Sequence, residues 1–306
     1  MVKEIQKGSN LPWIAATLYA QTAWGAYPVL VRYLQTVSFL PSMSIMAFGS
    51  TLALGIVGLV YLPRLEWRAF YSPKLLFFAL IVVARGSSNI LAARFTLAIY
   101  VQLITLLTPF IVALLSTAVL REKLPRYTGR AMALSVLGAL LLMGGSLAGA
   151  DSFPGANRTD WLGISLALIG SLLLAIYMVT VRGTARDHIR GETLLLVQLF
   201  SLAVATGLFS LLLGEDWSRW GNLQPFDWFV FSMVVLGVFT GANMSQIGSI
   251  RHLGAAVVSS TMPWRLVSTL FLAALLLNER LTSIWQVLGV ILVLTTVTWY
   301  LWRQRG

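Results

Sequence analysis

Two arginines, Arg85 and Arg265, lie near the centres of long apolar stretches, where a charged side chain is expensive to bury. Insertion scales put an arginine at the middle of a membrane helix at about 2.5–3.5 kcal/mol, so such residues usually face a cavity or a partner. The other basic residues lie in loops or near the ends of apolar stretches. The pair therefore predicts a polar cavity, although each arginine could instead be tied to helix carbonyls in a structural role.

No acidic residue is placed to neutralise these two arginines. All eleven Asp and Glu residues lie in loops or at the ends of apolar stretches. Because a guanidinium binds carboxylate and phosphate groups through paired hydrogen bonds, we expect the cavity to favour an anionic group. The same absence argues against export of cationic drugs and against a carboxylate proton relay, since both depend on a buried acid.

Further polar and aromatic residues recur at helical spacing and accompany the arginines. The candidate substrate-binding set consists of Arg85, Asn89, Arg265, Trp264, Asn243, Gln246, Trp24, Gln102 and Tyr177. A few polar groups among aromatic side chains are typical of a small-molecule site. For any single amide in the set, hydrogen bonding between helices is at least as good an interpretation.

Two pairs of matched residues are candidates for gating. Glu122 and Glu279 each end an apolar stretch beside a basic residue, so they form either a gate contact or a static ion pair at the surface. Pro109 and Pro263 lie inside apolar stretches, where proline removes a backbone donor and clashes with the preceding turn. They are either hinges or static kinks.

These prolines and acids belong to a stretch that occurs twice. In both copies an Asn precedes a Pro by twenty residues (Asn89 to Pro109, Asn243 to Pro263), and an apolar run then ends in Glu-basic-Leu. The second copy carries three extra residues between Pro and Glu. Such symmetry in an apolar chain indicates duplication of a helical unit and is typical of membrane transporters.

The composition excludes an ordinary soluble protein. The chain is 58% hydrophobic and 11% charged, whereas soluble domains are about 45–50% apolar and about 25% charged. A transmembrane helix needs about 20 apolar residues, and ten segments qualify. They lie near residues 12–34, 40–62, 74–94, 98–120, 128–148, 160–182, 192–214, 227–249, 254–277 and 282–302. We therefore predict an all-α integral membrane protein with ten transmembrane helices.

The ten helices divide into two five-helix repeats, 12–148 and 160–302, joined by the polar segment 149–159. With the N-terminus inside, the inner loops and tails carry fifteen basic residues and the outer side carries five. This bias predicts that both termini are cytoplasmic, and we expect the cell inner membrane. Because five is odd, the second repeat enters from the opposite face. Inverted repeats of this kind place the substrate site near the midplane between the halves.

Nothing in the sequence calls for a cofactor or a metal ion. The chain has no cysteine, and His188 and His252 lie at span edges without companions for a metal site. The basic residues are scattered singly at span ends, which is the pattern of membrane orientation rather than of nucleic-acid binding. The expected partners are a small-molecule substrate and the lipid bilayer, with the protein itself a monomer or a homodimer.

Taken together, these features resemble the drug/metabolite transporter superfamily, specifically its EamA-type ten-helix members. The motifs that carry the resemblance are Trp24-Gly25 followed by Arg32, the doubled Pro-then-Glu-basic-Leu pattern, and Gly138 and Gly289. The resemblance implies a central cavity between two inverted halves and alternating access for a small metabolite. This sequence has Met262-Pro263-Trp264-Arg265 where many relatives carry Glu-Pro, and Ala47-Phe48-Gly49 where many carry an Arg.

The expected function is a secondary transporter, with export as the expected direction, of a small anionic or zwitterionic metabolite such as an amino acid. An antiporter of a phosphorylated or nucleotide-linked solute is the alternative within the same class. A non-transporting membrane scaffold or signalling protein is the alternative from another class, although it would not require two unpaired arginines at mid-depth. An enzyme is not expected, since no span carries an acid–base pair or a nucleophile with a plausible partner.

Overall fold

The computed structural model describes residues 11–61, 72–96, 98–121, 127–147, 160–187, 189–277 and 284–303. Every regular element within these ranges is helical, which confirms the all-helical prediction for this part of the chain. The candidate gate residues Glu122 and Glu279, and also His188, lie outside the described residues.

Six α-helices are described in the first half of the chain. They are α1 (Leu11–Thr36), α2 (Ser42–Tyr61), α3 (Pro73–Phe95), α4 (Ala98–Thr105), α5 (Thr108–Val119) and α6 (Thr128–Leu147). The described part of the second half contains α7 (Asp160–Arg186), α8 (Gly191–Leu212), α9 (Pro225–Ser232), α10 (Asn243–Leu253), α11 (Ala255–Ser260), α12 (Trp264–Leu276) and α13 (Ile284–Arg303). A 3₁₀ turn (Trp217–Asn222) precedes α9, and a π-helix (Met233–Ala242) joins α9 to α10.

Five of the described helical segments are long and apolar enough to cross a membrane. They are Ser42–Tyr61, Pro73–Phe95, Trp161–Arg186, Gly191–Leu212 and Pro225–Leu253. Many large apolar side chains point outward, including Leu59 at 87% and Leu212 at 82% exposure. Such a surface is costly in water and suits lipid, so the described chain has the character of a multi-pass membrane protein. Ten spans remain a prediction.

The two matched prolines lie where a predicted span is broken into two short helices. Helix α4 ends at Thr105 and α5 begins at Thr108, so Pro109 falls in the first turn of α5. Helix α11 ends at Ser260, and Pro263 immediately precedes α12. Proline is tolerated at a helix start because the donor that it lacks has no intrahelical partner there. Both spans are therefore discontinuous rather than single kinked helices.

The two halves of the chain share one core. Helix α1 packs on α10 and α12, α2 packs on α8, and α3 packs on α7, so each pair joins the first half to the second. The largest apolar cluster accordingly mixes buried rings from both halves, among them Tyr27, Phe78, Tyr177 and Phe239. Any polar group at the contact between these helices is enclosed by both halves.

Arg32 and Arg182 make equivalent contacts in the two halves. Arg32 Nη1 donates to the carbonyl oxygens of Ala93 (3.3 Å) and Thr96 (2.6 Å), at the C-terminal end of α3. Arg182 Nη1 donates to the carbonyl oxygen of Arg251, at the C-terminal end of α10. Carbonyls in the last turn of a helix have no intrahelical donor, so each arginine satisfies them from the first predicted span of its own half.

Two acidic side chains hold helix ends near one another. Glu215 accepts hydrogen bonds from the backbone N–H groups of Met43 (3.0 Å) and Ser44 (2.8 Å), in the first turn of α2. Asp227 accepts from the hydroxyls of Tyr33 (3.1 Å) and Ser38 (2.9 Å). Carboxylates are favourable at helix N-termini, where backbone N–H groups are unpaired. Glu215 therefore satisfies backbone donors at the start of α2, and Asp227 accepts at the start of α9, where Gln224 N–H also donates to its Oδ2 (2.9 Å).

Candidate functional site

A small cavity lies between α1, α3, α4, α7 and α12. It is lined by Trp24, Arg85, Asn89, Val101, Thr105, Ala167, Gly170, Leu174 and Arg265. The structure therefore brings both mid-span arginines to one cavity, together with Trp24 and Asn89. The cavity has a volume of about 20 Å³, which is room for about one water molecule.

The guanidinium of Arg85 is held by aromatic rings. Its side chain is 6% exposed, and its Cζ lies 4.3 Å from the ring centroid of Tyr177 and 5.1 Å from that of Trp24. Within the described ranges, Arg85 makes no hydrogen bond or ion pair. The face of an aromatic ring attracts a cation without removing its charge or occupying its N–H groups. Arg85 therefore keeps its donors available to a ligand.

Tyr177 is fixed by a chain of buried hydrogen bonds. Its hydroxyl donates to Gln198 Oε1 (3.0 Å), and Gln198 Nε2 donates to Asn243 Oδ1 (2.7 Å). Asn243 Nδ2 in turn donates to the carbonyl oxygen of Phe239 (2.9 Å). The chain links α7, α8 and α10, and it fixes the ring against which Arg85 packs. Asn243 thus lies behind the cavity and contributes through Tyr177.

Arg265 is anchored on one side only. Its Nε donates to Gln21 Oε1 (2.5 Å), while Gln21 Nε2 donates to the carbonyl oxygen of Val258 (2.9 Å) and to Thr261 Oγ1 (3.1 Å). The Nη2 atom of Arg265 is buried and has no hydrogen-bond partner among the described residues. No carboxylate of the described chain pairs with this guanidinium either. A buried donor without a partner is costly, and an anionic ligand would satisfy it.

Close packing at Gly25 sets the position of Arg265. A Cβ atom at Gly25 would lie 1.9 Å from Ser268 Oγ and 2.4 Å from the carbonyl oxygen of Arg265. Thr269 Oγ1 also donates to the carbonyl oxygen of Gly25 (2.7 Å). The Trp24-Gly25 pair therefore has a physical basis, because the glycine lets α1 touch the backbone of α12 while the tryptophan reaches the cavity.

Trp24 stands beside both arginines. Its ring centroid lies 5.8 Å from Cζ of Arg265, and its backbone carbonyl accepts a hydrogen bond from Gln102 Nε2 (3.2 Å). The indole N–H is buried and has no partner in the part of the chain that the structure describes. It is therefore a third donor available near the two guanidinium groups. Gln102 acts on the site by holding the backbone of Trp24.

Five members of the predicted set do not line the cavity: Tyr177, Gln102 and Asn243 act through residues that do, and Trp264 and Gln246 have no such link. The indole N–H of Trp264 donates to Thr22 Oγ1 (2.9 Å), and Trp264 does not line the cavity. Gln246 is buried, and neither atom of its amide has a partner among the described residues, but it is also absent from the cavity lining. A spacing that places residues on one helical face does not say which of them reaches a given cavity, since that depends on how neighbouring helices pack.

Gln198 is a contributor that the sequence analysis missed. It is the one amide side chain of α8, and its role appears only through contact with Tyr177 and Asn243. A second repeated motif in the sequence also points to the two buried tyrosines. Tyr27-Pro-Val-Leu-Val-Arg32 and Tyr177-Met-Val-Thr-Val-Arg182 share a Tyr-x-Val-x-Val-Arg pattern. It marks α1 and α7 as equivalent and singles out both buried tyrosines.

The sequence pattern of the EamA-like transporter family matches residues 11–144 and, a second time, residues 161–302. The chain belongs to the EamA-like transporter family. Membership makes it a multi-pass membrane transporter of the drug/metabolite superfamily, in agreement with its apolar helices.

A solved structure described as "Crystal structure of protein" is similar to this EamA-like transporter. The two share 18% sequence identity with a TM-score of 0.68, over 95% of this chain and 98% of that chain. At this identity the likeness shows the fold alone. No curated protein matches the chain.

Proposed function

We propose that this EamA-like transporter is a secondary carrier that exports a small anionic or zwitterionic metabolite, such as an amino acid, across the cell inner membrane. It works by alternating access between two inverted five-span repeats, 12–148 and 160–302, with both termini in the cytoplasm. The observation that carries the proposal is the convergence of Arg85 and Arg265 on one cavity with no carboxylate of the described chain beside them.

The charge of the cavity supports an anionic group on the substrate. Two guanidinium groups removed from water lose hydration that nothing in the described structure replaces in full. A carboxylate accepts from Arg85, from Nη2 of Arg265 and from the indole N–H of Trp24 without any new protein group. The ring of Trp24, with Val101 and Leu174 of the same lining, supplies apolar surface for the rest of a small metabolite.

The size of the cavity supports alternating access. Room for about one water molecule is too little for an amino acid, so the helices around the cavity must separate to admit one. The broken pairs α4–α5 and α11–α12 lie at this place in the fold, since Thr105 and Arg265 both line the cavity. Discontinuous helices at the repeat interface are common at transporter binding sites.

The two-repeat arrangement is supported by equivalent contacts in each half. Both halves break a predicted span at the matched proline, and both use an arginine of the first span (Arg32, Arg182) to hold the end of the third. The same positive cavity suits a phosphorylated solute. Because a phosphate dianion would match two guanidinium groups, antiport of such a solute is the second candidate.

The test is solute flux in proteoliposomes with a panel of labelled amino acids and other organic anions. Arg85→Ala and Arg265→Ala should each lower the flux about 10–100-fold, because a hydrogen bond to a charged group contributes about 1.5–3 kcal/mol. Arg219→Ala is the matched control. Arg219 is exposed, donates to the carbonyl oxygen of Phe39 and does not line the cavity. Wild-type kinetics in Arg265→Ala would refute the assignment. Competition by inorganic phosphate would favour the antiporter.

A further inference from the structure

A second and much larger cavity lies at one end of the bundle. It has a volume of about 450 Å³ and shares no lining residue with the central cavity. Four helices enclose it, namely α1, α2, α8 and α10. It lies at their ends, because Tyr61 is the last residue of α2 and Gly191 is the first residue of α8. It therefore sits where the apolar part of the bundle meets its polar boundary.

Two basic side chains belong to the lining of this end cavity. Arg190 and Arg251 both line it, with Glu192 as the acidic residue of the lining. Arg190 Nε lies 3.8 Å from Glu192 Oε2, and Arg182 donates to the backbone carbonyl of Arg251. The Nη1 atom of Arg251 is buried and has no hydrogen-bond partner among the residues described. Among the described lining residues, positive charge thus exceeds negative charge, and one donor of Arg251 has no described partner.

The rest of the lining is largely apolar. Ala16, Leu195, Met244 and Ile247 form the walls. Met244 is 49% exposed on the outer side of its helix, so the wall continues towards the surface that faces lipid. An inorganic anion would contact only the basic side chains, Arg190 and Arg251, and would leave the apolar wall unused. A wall of this kind fits an occupant with a long apolar part.

An aromatic platform closes one side. The rings of Trp13 and His252 stack with centroids 3.8 Å apart and an interplanar angle of 12°. Gly248 makes room for this stack, because a Cβ atom there would lie 2.6 Å from a ring carbon of Trp13. Tryptophan and tyrosine are enriched at the level of lipid headgroups, which is where Trp13 and Tyr61 place this cavity.

We propose that the end cavity binds an anionic phospholipid, with the phosphodiester at Arg251 and Arg190 and an acyl chain along Leu195, Met244 and Ile247. Basic pockets between membrane helices on the cytoplasmic side are suited to anionic headgroups, and the positive-inside bias puts these helix ends on that side. The lipid joins α1 and α2 of the first half to α8 and α10 of the second. It is not the transported solute, since none of its contacts belongs to the central cavity.

The test is native mass spectrometry of the purified full-length chain with phosphatidylglycerol and phosphatidylcholine of the same acyl composition. The wild type should retain phosphatidylglycerol about tenfold more than phosphatidylcholine, because basic residues near the membrane surface attract an anionic headgroup. Arg251→Gln should bring the ratio close to one. Arg219→Gln, which changes an exposed arginine outside the end cavity, should leave the ratio unchanged.

A second variant tests the apolar wall without touching a charge. Met244→Trp should narrow the apolar wall and lower the retention of phosphatidylglycerol, with thermal unfolding in detergent unchanged because Met244 is half exposed. Equal retention of both lipids by the wild type overturns the proposal, and so does an equal loss in Arg219→Gln. Displacement of the lipid by millimolar inorganic phosphate overturns it as well, since the occupant is then a free anion. None of these readouts depends on transport.

Discussion

The guanidinium carbon of Arg85 lies 4.3 Å from the ring centroid of Tyr177, and the hydroxyl of Tyr177 is itself bonded to Gln198. A ring face attracts the cation but accepts none of its N–H bonds. The hydroxyl of Tyr177 is engaged with Gln198, so the contact with the guanidinium is made by the ring face. The N–H groups of the Arg85 guanidinium are therefore unpaired in the described structure. A buried cation without hydrogen-bond partners is destabilising, so its presence indicates a functional role.

Replacing this charge should stabilise the protein and lower its transport activity. Arg85→Met keeps a long side chain against Tyr177 and Trp24 but removes the desolvated cation. A buried charge without an ion-pair partner loses hydration that nothing repays, so thermal unfolding followed by tryptophan fluorescence should move to higher temperature in Arg85→Met. Transport should fall about 10–100-fold, as in Arg85→Ala, because the same donors are lost. A lower unfolding temperature in Arg85→Met would show that the charge is structurally required. Arg219→Met, at an exposed site, should shift unfolding little.

Loss of Gln21 should weaken substrate binding as well as stability. Gln21→Leu removes the acceptor of Arg265 Nε and leaves that buried donor unpaired, which costs about 1–3 kcal/mol. The apparent KM for transport should rise, because Arg265 is no longer held in one orientation.

Gln35→Leu is the matched control on the same helix. Gln35 is also buried, and its Nε2 donates to Ser42 Oγ and to the carbonyl oxygen of Ile90, each at 3.1 Å. A similar loss of stability with unchanged KM is expected there. If both variants raise KM equally, the effect is a general loosening of α1 and not a property of the Gln21–Arg265 contact.

A methyl group at Gly25 should separate α1 from α12. The new Cβ of Gly25→Ala meets a backbone oxygen of Arg265 at 2.4 Å, which no side-chain rotation can relieve. Overpacking of this kind costs about 1–3 kcal/mol, and flux should drop because Arg265 moves with its backbone. The double variant with Ser268→Ala should not restore flux. Gly55→Ala in α2, where nothing lies within 4 Å, should be neutral or slightly stabilising since alanine favours helix.

Arg32 and Arg182 should protect different helix ends. Arg32→Ala frees the carbonyls of Ala93 and Thr96, so amide hydrogen exchange should quicken at the end of α3. Arg182→Ala frees the carbonyl of Arg251, and exchange should quicken at the end of α10 instead. Each variant is the control of the other. Equal acceleration at both ends in both variants would contradict the separate roles.

The sequence by itself determined the class of the protein and the polar content of its centre. The chain is apolar, its acids lie at segment ends and two arginines lie in mid-segment. In lipid such segments must be helical to pair their backbone groups, and a charge at mid-depth usually faces a cavity or a partner. The doubled Pro pattern likewise indicated where two spans would be unusual. In the structure both spans are broken beside the prolines. A proline at the start of a helix costs no intrahelical hydrogen bond, because the N–H that it lacks would have no partner there.

Only the tertiary structure decided which residues meet. Arg85 and Arg265 are 180 positions apart, and their convergence depends on α1 contacting α12 at Gly25 and on α3 packing against α7. The same packing turns Trp264 towards Thr22 and leaves Gln246 away from the cavity, although helical spacing made both equal candidates. Periodicity fixes the face on which a side chain lies, whereas the neighbour of that face is set by long-range packing of helices in both halves.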